Sequence, residues 1–107
     1  MNTDERIINA LTPIVGTVVP LVYNGNELEY IVFNYDSLFF YAESTAKERR
    51  DLVQIHWYLP YKVNPNAKKK LIAQAINDAG FTYPSIVNSS DGDGQHYVFE
   101  CETTGDV

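Results

Sequence analysis

The amino-acid sequence predicts an α+β domain, with a mainly antiparallel sheet of four to six strands and two helices packed on one face. Its 107 residues are 45% hydrophobic and 21% charged, which is the size and composition of one compact domain. Several segments alternate apolar and polar residues, as half-buried strands do, and two segments carry apolar residues at helical spacing. Their order is helix, three or four strands, helix and two strands, which is typical of strand-rich hairpins packed against amphipathic helices.

The first predicted elements are a short helix and an edge strand. Thr3 is a good N-cap for the helix, and Pro13 ends it because the residue before a proline avoids helical angles. Residues 17–23 predict a strand, which Pro20 places at a sheet edge since proline donates no ladder hydrogen bond. Asn24-Gly25-Asn26 follows with the chemistry of a tight hairpin turn.

The middle of the chain is predicted to be mostly strand. Residues 28–35 form one strand, Asp36-Ser37 a turn, and residues 38–42 a short strand. Residues 43–51 are polar and charged, which indicates either a loop or the exposed tip of a long hairpin. Residues 52–59 alternate, with one predicted face formed by Val53, Ile55, Trp57 and Leu59 and the other by Gln54, His56 and Tyr58.

The second helix has clear start and stop signals. Asn64 is the predicted N-cap, Pro65 takes the first helical position, and Gly80 is placed as the C-terminal cap. The apolar stripe predicted for this helix consists of Leu71, Ile72, Ala75, Ile76 and Ala79.

Two strands and a loop complete the predicted domain, which spans residues 1–107. Residues 81–87 predict a strand and residues 88–94 a loop. Residues 95–102 alternate, with one face formed by Tyr97, Phe99 and Cys101 and the other by His96, Val98 and Glu100. Residues 103–107 are expected to be a frayed end.

Charge is distributed unevenly along the chain, whose formal net charge is −6. Residues 47–70 hold seven bases and two acids, a net of +5, whereas residues 88–107 hold five acids and no lysine or arginine, a net of −5. The two segments are either ordinary solvated faces or complementary patches. Complementary patches would let copies of the chain dock head-to-tail, and such heterologous contacts can close into a ring.

Several classes of protein are disfavoured by composition. The acidic balance argues against general nucleic-acid binding, which usually needs a basic face. No apolar run approaches the ~18 residues of a membrane-spanning helix. The N-terminus is acidic where a secretory signal would be basic, and the single Cys101 cannot form an internal disulfide.

No group of residues predicts an active site, a cofactor or a metal centre. His56 and His96 lie in alternating strands without a second ligand nearby in sequence, so each is expected to be structural or at the surface. Cys101 is expected to be a small buried hydrophobe. Residues 91–94 (DGDG) resemble the start of a calcium loop, but His96 stands where that loop needs glycine. A turn is the better interpretation, and cation binding there stays open.

Short segments spread over most of the chain resemble those of one known protein family. They are a proline-bearing edge strand (TVVPLVY), an aromatic strand (EYIVFNY), a strand of the VQIHWY type, a helix end (INDAGF) and a closing strand (GQHYVFE). In this order, over residues 4–102, the chain resembles the tail completion proteins of long-tailed bacteriophages, also called tail terminator or head–tail joining proteins. One departure is His56, where family members often carry aspartate.

This resemblance implies a structural protein of a phage or prophage, with no catalytic role and no cofactor. Such proteins form a ring, commonly a hexamer, at the head-proximal end of the tail tube, where they end tube polymerisation and join tail to head. The implied partners are further copies of the chain, the tail tube protein and a head-closure or connector protein, without membrane or specific nucleic acid. The implied location is the tail or neck of the virion, and the host cytoplasm during assembly.

The family offers no active-site residues to carry over, so the expected interface residues rest on charge and position. They are Glu43, Lys47, Arg49, Arg50, Lys68, Lys69, Lys70, Asp91 and Asp93. Three alternatives stay open. The chain would otherwise be a small ligand-binding or enzymatic bacterial α+β domain with a pocket around His56 or His96, another neck component such as a head-closure protein, or a host-directed phage factor that binds a bacterial protein as a monomer.

Overall fold

The computed structural model describes residues 2–105 and confirms the predicted α+β fold. Two helices and five strands follow in the order helix, three strands, helix, two strands. They are α1 (Thr3–Leu11), β1 (Val18–Pro20), β2 (Tyr30–Ala42), β3 (Thr45–Leu59), α2 (Asn66–Asp78), β4 (Ser85–Asn88) and β5 (Gln95–Gly105). Within residues 2–105, no helix is long and apolar enough to cross a membrane.

The five strands form one sheet in the order β1-β2-β3-β5-β4. Neighbouring strands run antiparallel, except that β1 runs parallel to β2. The segment through α2 carries the chain from β3 to the far edge, where β4 begins, and β5 then returns between them. Pro20 lies in β1 at the other edge, as predicted.

One face of the sheet is covered by both helices and holds the core. The register sets Ile31, Trp57 and Tyr97 side by side on this face. The next row is Phe33, Ile55 and Phe99, and the helices add Ile7, Leu11, Ile72 and Ile76. Burying each of these large side chains contributes roughly 1.5–3 kcal/mol. The alternation predicted for residues 52–59 and 95–102 is therefore confirmed.

β2 and β3 form one long hairpin, so the predicted turn at Asp36-Ser37 and the separate short strand at 38–42 are wrong. Asp36 pairs with Leu52 and Ser37 with Asp51 inside the continuous ladder. The strand continues because the Ser37 hydroxyl donates to the buried Asp51 carboxylate at 2.7 Å. Of the two interpretations of residues 43–51, the hairpin tip is the correct one.

The hairpin turn consists of two residues with left-handed backbone angles. Glu43 has φ 52° and Ser44 has φ 66°, and Ala42 pairs with Thr45 on either side. Positive φ at both central positions is what a two-residue hairpin turn needs to match the twist of its strands. Neither residue is a glycine, so no glycine marks this turn in the sequence.

The start of the chain differs from the prediction at two points. The N-cap of α1 is Asn2, whose side chain accepts a hydrogen bond from Glu5 N at 2.8 Å, while Thr3 is the first helical residue and is buried. The predicted hairpin turn at residues 24–26 is wrong, because β1 and β2 are parallel and residues 21–29 must cross back between them. Leu21, with φ 67°, begins that crossing.

Helix α2 begins and ends close to the predicted residues. Asn64 Oδ1 accepts a hydrogen bond from Asn66 N at 3.0 Å, and Pro65 already has helical angles. Gly80 takes φ 94° just after the helix, as its predicted capping role requires. The predicted stripe is wrong at Leu71, which is 57% exposed, and Ala73 is buried in its place.

The last two strands are shifted relative to the prediction. β4 begins only at Ser85. Before it, Phe81 is buried in the core and Thr82 N donates to Glu102 O at 2.9 Å. The predicted frayed end at 103–107 is wrong for residues 103–105, which continue β5. Thr103 is buried, and its hydroxyl donates to Gly80 O at 3.1 Å. Residues 106 and 107 lie outside the described part.

Candidate interaction surface

The distal half of the β2–β3 hairpin projects from the rest of the domain. The described molecule measures 54 × 26 × 22 Å along its principal axes. Within residues 2–105, β1 pairs with β2 only as far as Phe33, and β5 pairs with β3 only as far as Arg49. From Phe40 to Glu48 the hairpin is a two-stranded ribbon. We call residues 38–49, which are this ribbon and the residues at its base, the hairpin arm.

The hairpin arm carries four consecutive exposed apolar residues. Leu38 is 47% exposed, Phe39 44%, Phe40 47% and Tyr41 66%. The rings of Phe39 and Tyr41 lie 6.4 Å apart on one side, and the Arg50 guanidinium lies 5.8 Å from the Phe40 ring centre on the other. Contiguous exposed apolar residues mark interaction surfaces, because their burial by a partner removes them from water.

A buried carboxylate anchors the base of the hairpin arm. Asp51 is fully buried and accepts hydrogen bonds from Thr3 Oγ1 at 2.6 Å, Ser37 Oγ at 2.7 Å and Arg49 Nη2 at 2.9 Å. Burial by itself raises the pKa of this carboxyl, but these three donors outweigh burial, and the pKa lies below its ordinary value of 3.8. The network ties α1, β2 and β3 together where the arm leaves the sheet.

A second contact fixes α1 against β2, the other strand of the hairpin. The Tyr35 hydroxyl donates to Asp4 Oδ1 at 2.6 Å. This hydrogen bond, helped by burial, raises the pKa of Tyr35 to about 12. With Asp51, it gives the hairpin arm two polar anchors on helix α1.

Four of the predicted interface residues lie on or beside the hairpin arm. Glu43 is in its turn, and Lys47 is exposed beside the bulge between Phe40 and Tyr41. Arg50 forms exposed ion pairs with Glu48 at 3.1 Å and Glu102 at 3.7 Å. Arg49 turns inward to Asp51, and within residues 2–105 its buried Nε has no hydrogen-bond partner.

The predicted lysine run lies elsewhere, at the start of α2. Lys68 Nζ contacts Glu29 Oε1 at 2.7 Å, and Lys69 Nζ lies 4.2 Å from the centre of the Tyr97 ring. Lys70 is exposed. Lys68 and Lys69 are therefore engaged within the chain.

Asp91 and Asp93 occupy a third place, the turn between β4 and β5. Asp91 N donates to Gly94 O at 3.1 Å, and Asp91 Oδ1 accepts from Asp93 N at 2.9 Å, so the segment is a turn as expected. Among residues 2–105, no group of three or more histidine, cysteine, aspartate or glutamate residues has a metal-binding arrangement. The structure thus distributes the predicted interface residues over three places.

The face of the sheet away from the helices carries a histidine pair that the sequence did not reveal. His56 Nδ1 and His96 Nε2 lie 2.9 Å apart. Burial lowers the pKa of both imidazoles, and for His96 the neighbouring His56 lowers it further. The two residues are 40 positions apart, and only the β3–β5 register brings them together.

Aromatic rings continue from this pair across the sheet. Tyr58 stacks on His96 with ring centres 4.2 Å apart, Tyr30 on Tyr58 at 4.9 Å, and Tyr23 lies 4.6 Å from Tyr30. Because the rings cover one another's faces, the ladder presents mainly ring edges to solvent. It stabilises the open face of the sheet between β2 and β5.

Two shallow grooves flank this ladder. One, of about 370 Å³, is lined by Tyr30, Tyr58, His96, Asp91 and Asp93 among others. The other, of about 450 Å³, lies further along the sheet and includes Asn34, Gln54, Glu100, Asp36 and Glu102. Both mix apolar and polar side chains and include two or more acidic residues, which suit contact with basic groups.

Cys101 lies on the core face of β5, as predicted for a small buried hydrophobe. Burial, with a smaller contribution from Glu102, raises the pKa of its thiol to about 12. The thiol therefore stays protonated near neutral pH, which is the opposite of what a nucleophile needs.

Comparison with known proteins gives no family assignment. No protein-family model matches the chain, and a search of curated proteins returns no match.

Proposed function

We propose that this chain is a structural virion protein that forms a ring at the head-proximal end of a phage tail tube. The ring ends tube polymerisation and joins the tail to the head. The observation that carries the proposal is the hairpin arm, which carries the exposed Leu38, Phe39, Phe40 and Tyr41. Apolar residues held in water on a rigid arm favour a protein that works by contact with other subunits.

The anchoring of the arm supports this proposal. Asp51 and its three donors hold the base of the hairpin arm against α1, so the arm leaves the sheet in a defined direction. Ring subunits need such a fixed geometry, because the angle between successive contacts decides whether the ring closes.

The distribution of charge supports it as well. The β4–β5 region, residues 82–104, carries four acids and no lysine or arginine, whereas Lys47 and Arg50 present bases on and beside the hairpin arm; Arg49 is turned inward to Asp51. The ion pairs of Arg50 are exposed and therefore contribute little within one chain, which leaves that guanidinium available to a neighbour. Head-to-tail contacts between copies are favoured by such an arrangement.

Electron microscopy of particles assembled without this protein tests the proposal. We expect overlong or headless tails, and we expect heads and tails to join when the wild-type chain is supplied. A chain with Leu38, Phe39 and Tyr41 changed to serine serves as the matched variant and should fail to restore joining. Tails of normal length that carry heads in the absence of the protein would contradict the proposal.

The histidine pair favours a second candidate function, a small ligand-binding or enzymatic domain. His96, Tyr58 and Asp91 line the same groove, which is the kind of convergent polar site this alternative requires. Screening metabolites by changes in the imidazole NMR signals tests it. Saturable binding that is lost in His96→Ala and retained in a Leu38→Ser control would favour this candidate over the ring.

A further inference from the structure

The sheet ends in two free edges on opposite sides of the domain. At one edge, β1 covers β2 only at Ile31–Phe33, and within residues 2–105 no strand pairs with the outer edge of β2 beyond Phe33. At the other edge, β4 pairs with β5 on one side only. Unpaired strand edges are templates for pairing with another chain.

The backbone groups at the β2 edge can be assigned from the contacts of β1. Ile31 N donates to Thr17 O at 2.8 Å, and Phe33 O accepts from Leu21 N at 2.9 Å. Since successive residues of a strand direct their backbone groups to opposite sides, Tyr35, Ser37 and Phe39 direct theirs outward, away from β3. These outward groups have no strand to bond them.

The same reasoning applies to β4. Ser89 N donates to His96 O at 2.7 Å, so residues 85 and 87 also face β5, and Ile86 and Asn88 direct their backbone groups outward. The Ile86 side chain lies beside Phe99, on the helix-covered face. The Phe39 side chain lies on that same face, because it is six residues beyond Phe33 in the same strand.

From these two edges we infer that β4 of one copy pairs antiparallel with the outer edge of β2, beyond Phe33, of the next copy. Within one copy, β2 and β5 run in one direction and β4 runs in the opposite direction. If a second copy continues the sheet in the same orientation, β4 of the first copy is therefore antiparallel to β2 of the second. This inference rests on the proposed ring function, and the strand pairing is the contact that would build the ring.

The rows of the sheet fix the stagger of this pairing. Within one copy, β4 lies level with Ile31 to Asn34 of β2. At one end of β4, the row of paired residues across the sheet is Asn88, Tyr97, Trp57 and Ile31. Since β1 occupies the β2 edge as far as Phe33, and the outward residues of β4 must meet outward residues of β2, the incoming β4 is displaced by an even number of residues. The smallest displacement is four residues, roughly 13 Å at ~3.3 Å per residue. A uniform stagger with tilted strands is what closes a sheet into a ring.

Side chains and charge match across the paired edges. β4 offers the exposed Ile86 and Val87 beside the exposed Phe39 and Phe40 of the hairpin arm. Glu100, on β5 next to β4, lies level with Ser85 on the open face, so an acidic side chain stands one strand behind the pairing edge. The contact is small, but closing a ring strengthens the assembly because each copy then makes two such contacts, one through β4 and one through β2.

Disulfide trapping tests the pairing. In a Cys101→Ala background, Phe39→Cys is combined with Ile86→Cys or with Asn88→Cys, and the purified chain is treated with a mild oxidant. We expect a ladder of covalent multimers on non-reducing gels from at least one of these combinations. The matched control replaces Phe39→Cys by Phe40→Cys, whose side chain lies on the opposite face, and we expect loss of the ladder.

A proline variant gives a second measurement. Phe39→Pro removes one outward N–H without removing a bond between β2 and β3, so the thermal unfolding midpoint should stay near that of Phe39→Ala. We expect Phe39→Pro to lose multimers in sedimentation at concentrations where Phe39→Ala retains some. Any of three results would overturn the pairing. They are equal covalent ladders from the Phe39→Cys and Phe40→Cys combinations, no ladder from any Phe39→Cys combination, and equal sedimentation of Phe39→Pro and Phe39→Ala.

The pairing and the ring function can fail separately. If trapping fails while particles lacking the protein show unterminated tails, only the pairing falls. If the ladder forms while such particles carry normal head-joined tails, the strand pairing stands and the tail function falls.

Discussion

The hydroxyl of Thr3 donates to the carboxylate of Asp51 at 2.6 Å, across 48 positions of sequence and inside the domain. Thr3 is the first residue of α1, and Asp51 lies in β3 at the base of the hairpin arm. This contact, with the donors on Ser37 and Arg49, makes Asp51 a structural anchor. The charged stretch that reads as solvated surface in the sequence thus includes one buried acid.

We expect Asp51→Ala to destabilise the domain by about 3 kcal/mol, because it leaves buried donors without an acceptor. Urea unfolding followed by tryptophan fluorescence measures the change. Asp36→Ala is the matched control, since Asp36 is an exposed acid on the neighbouring strand and should change stability by less than about 0.5 kcal/mol. Equal losses in the two variants would show that Asp51 is not an anchor.

The lowered pKa of Asp51 predicts a specific acid sensitivity. Because the native pKa lies below the unfolded value of 3.8, the unfolded chain binds the proton more readily, and the stabilisation is present above that value. It is lost as the pH falls through the native pKa. Unfolding free energies measured from pH 5 down to about pH 2.5 should decline more steeply in the wild type than in Asp51→Asn. Parallel curves would contradict this assignment.

The histidine pair predicts a second pH dependence at higher pH. Burial lowers the native pKa of His56 and His96 below 6.5, so protonation favours the unfolded chain. Stability should therefore fall as the pH drops below about 6.5, and His56→Gln should reduce that slope. NMR titration of the two imidazoles gives the native values directly, and a native pKa above 6.5 for both would reverse the expected sign.

The hairpin arm predicts that assembly and folding can be separated. Phe40→Ser removes a ring that is 47% exposed, so we expect little loss of unfolding free energy and a loss of multimers. Phe33→Ala is the contrasting change, because this ring is buried and its removal should cost about 3–5 kcal/mol. If Phe40→Ser were as destabilising as Phe33→Ala, the arm would be part of the core.

Gly80 predicts a backbone effect at the end of α2. Its φ of 94° disfavours any side chain, and an added Cβ would lie 2.8 Å from Arg6 Nη2. We expect Gly80→Ala to destabilise by about 1 kcal/mol or more. Gly92→Ala is the control, since nothing lies within 4 Å of its added Cβ and its φ is not positive. Thermal unfolding of both variants checks the difference.

The sequence by itself determined the fold class, the order of the elements, and the faces of the alternating strands. These features follow from local periodicity and from capping residues such as Asn64 and Gly80, which act over a few positions. The alternation of β3 also extends to Asp51. Asp51 shares its face with Val53 and Ile55 by simple alternation, which marks it as buried.

Only the tertiary structure decided the parallel pairing of β1, the length of the hairpin arm and the meeting of His56 with His96. Each depends on which strands become neighbours and in what register, and these are contacts between residues far apart in sequence. Local propensity cannot specify such contacts, because their stability comes from burying a whole sheet face under two helices. Among residues 2–105, the same long-range packing leaves the outer edge of β2 beyond Phe33 and the edge of β4 without a paired strand.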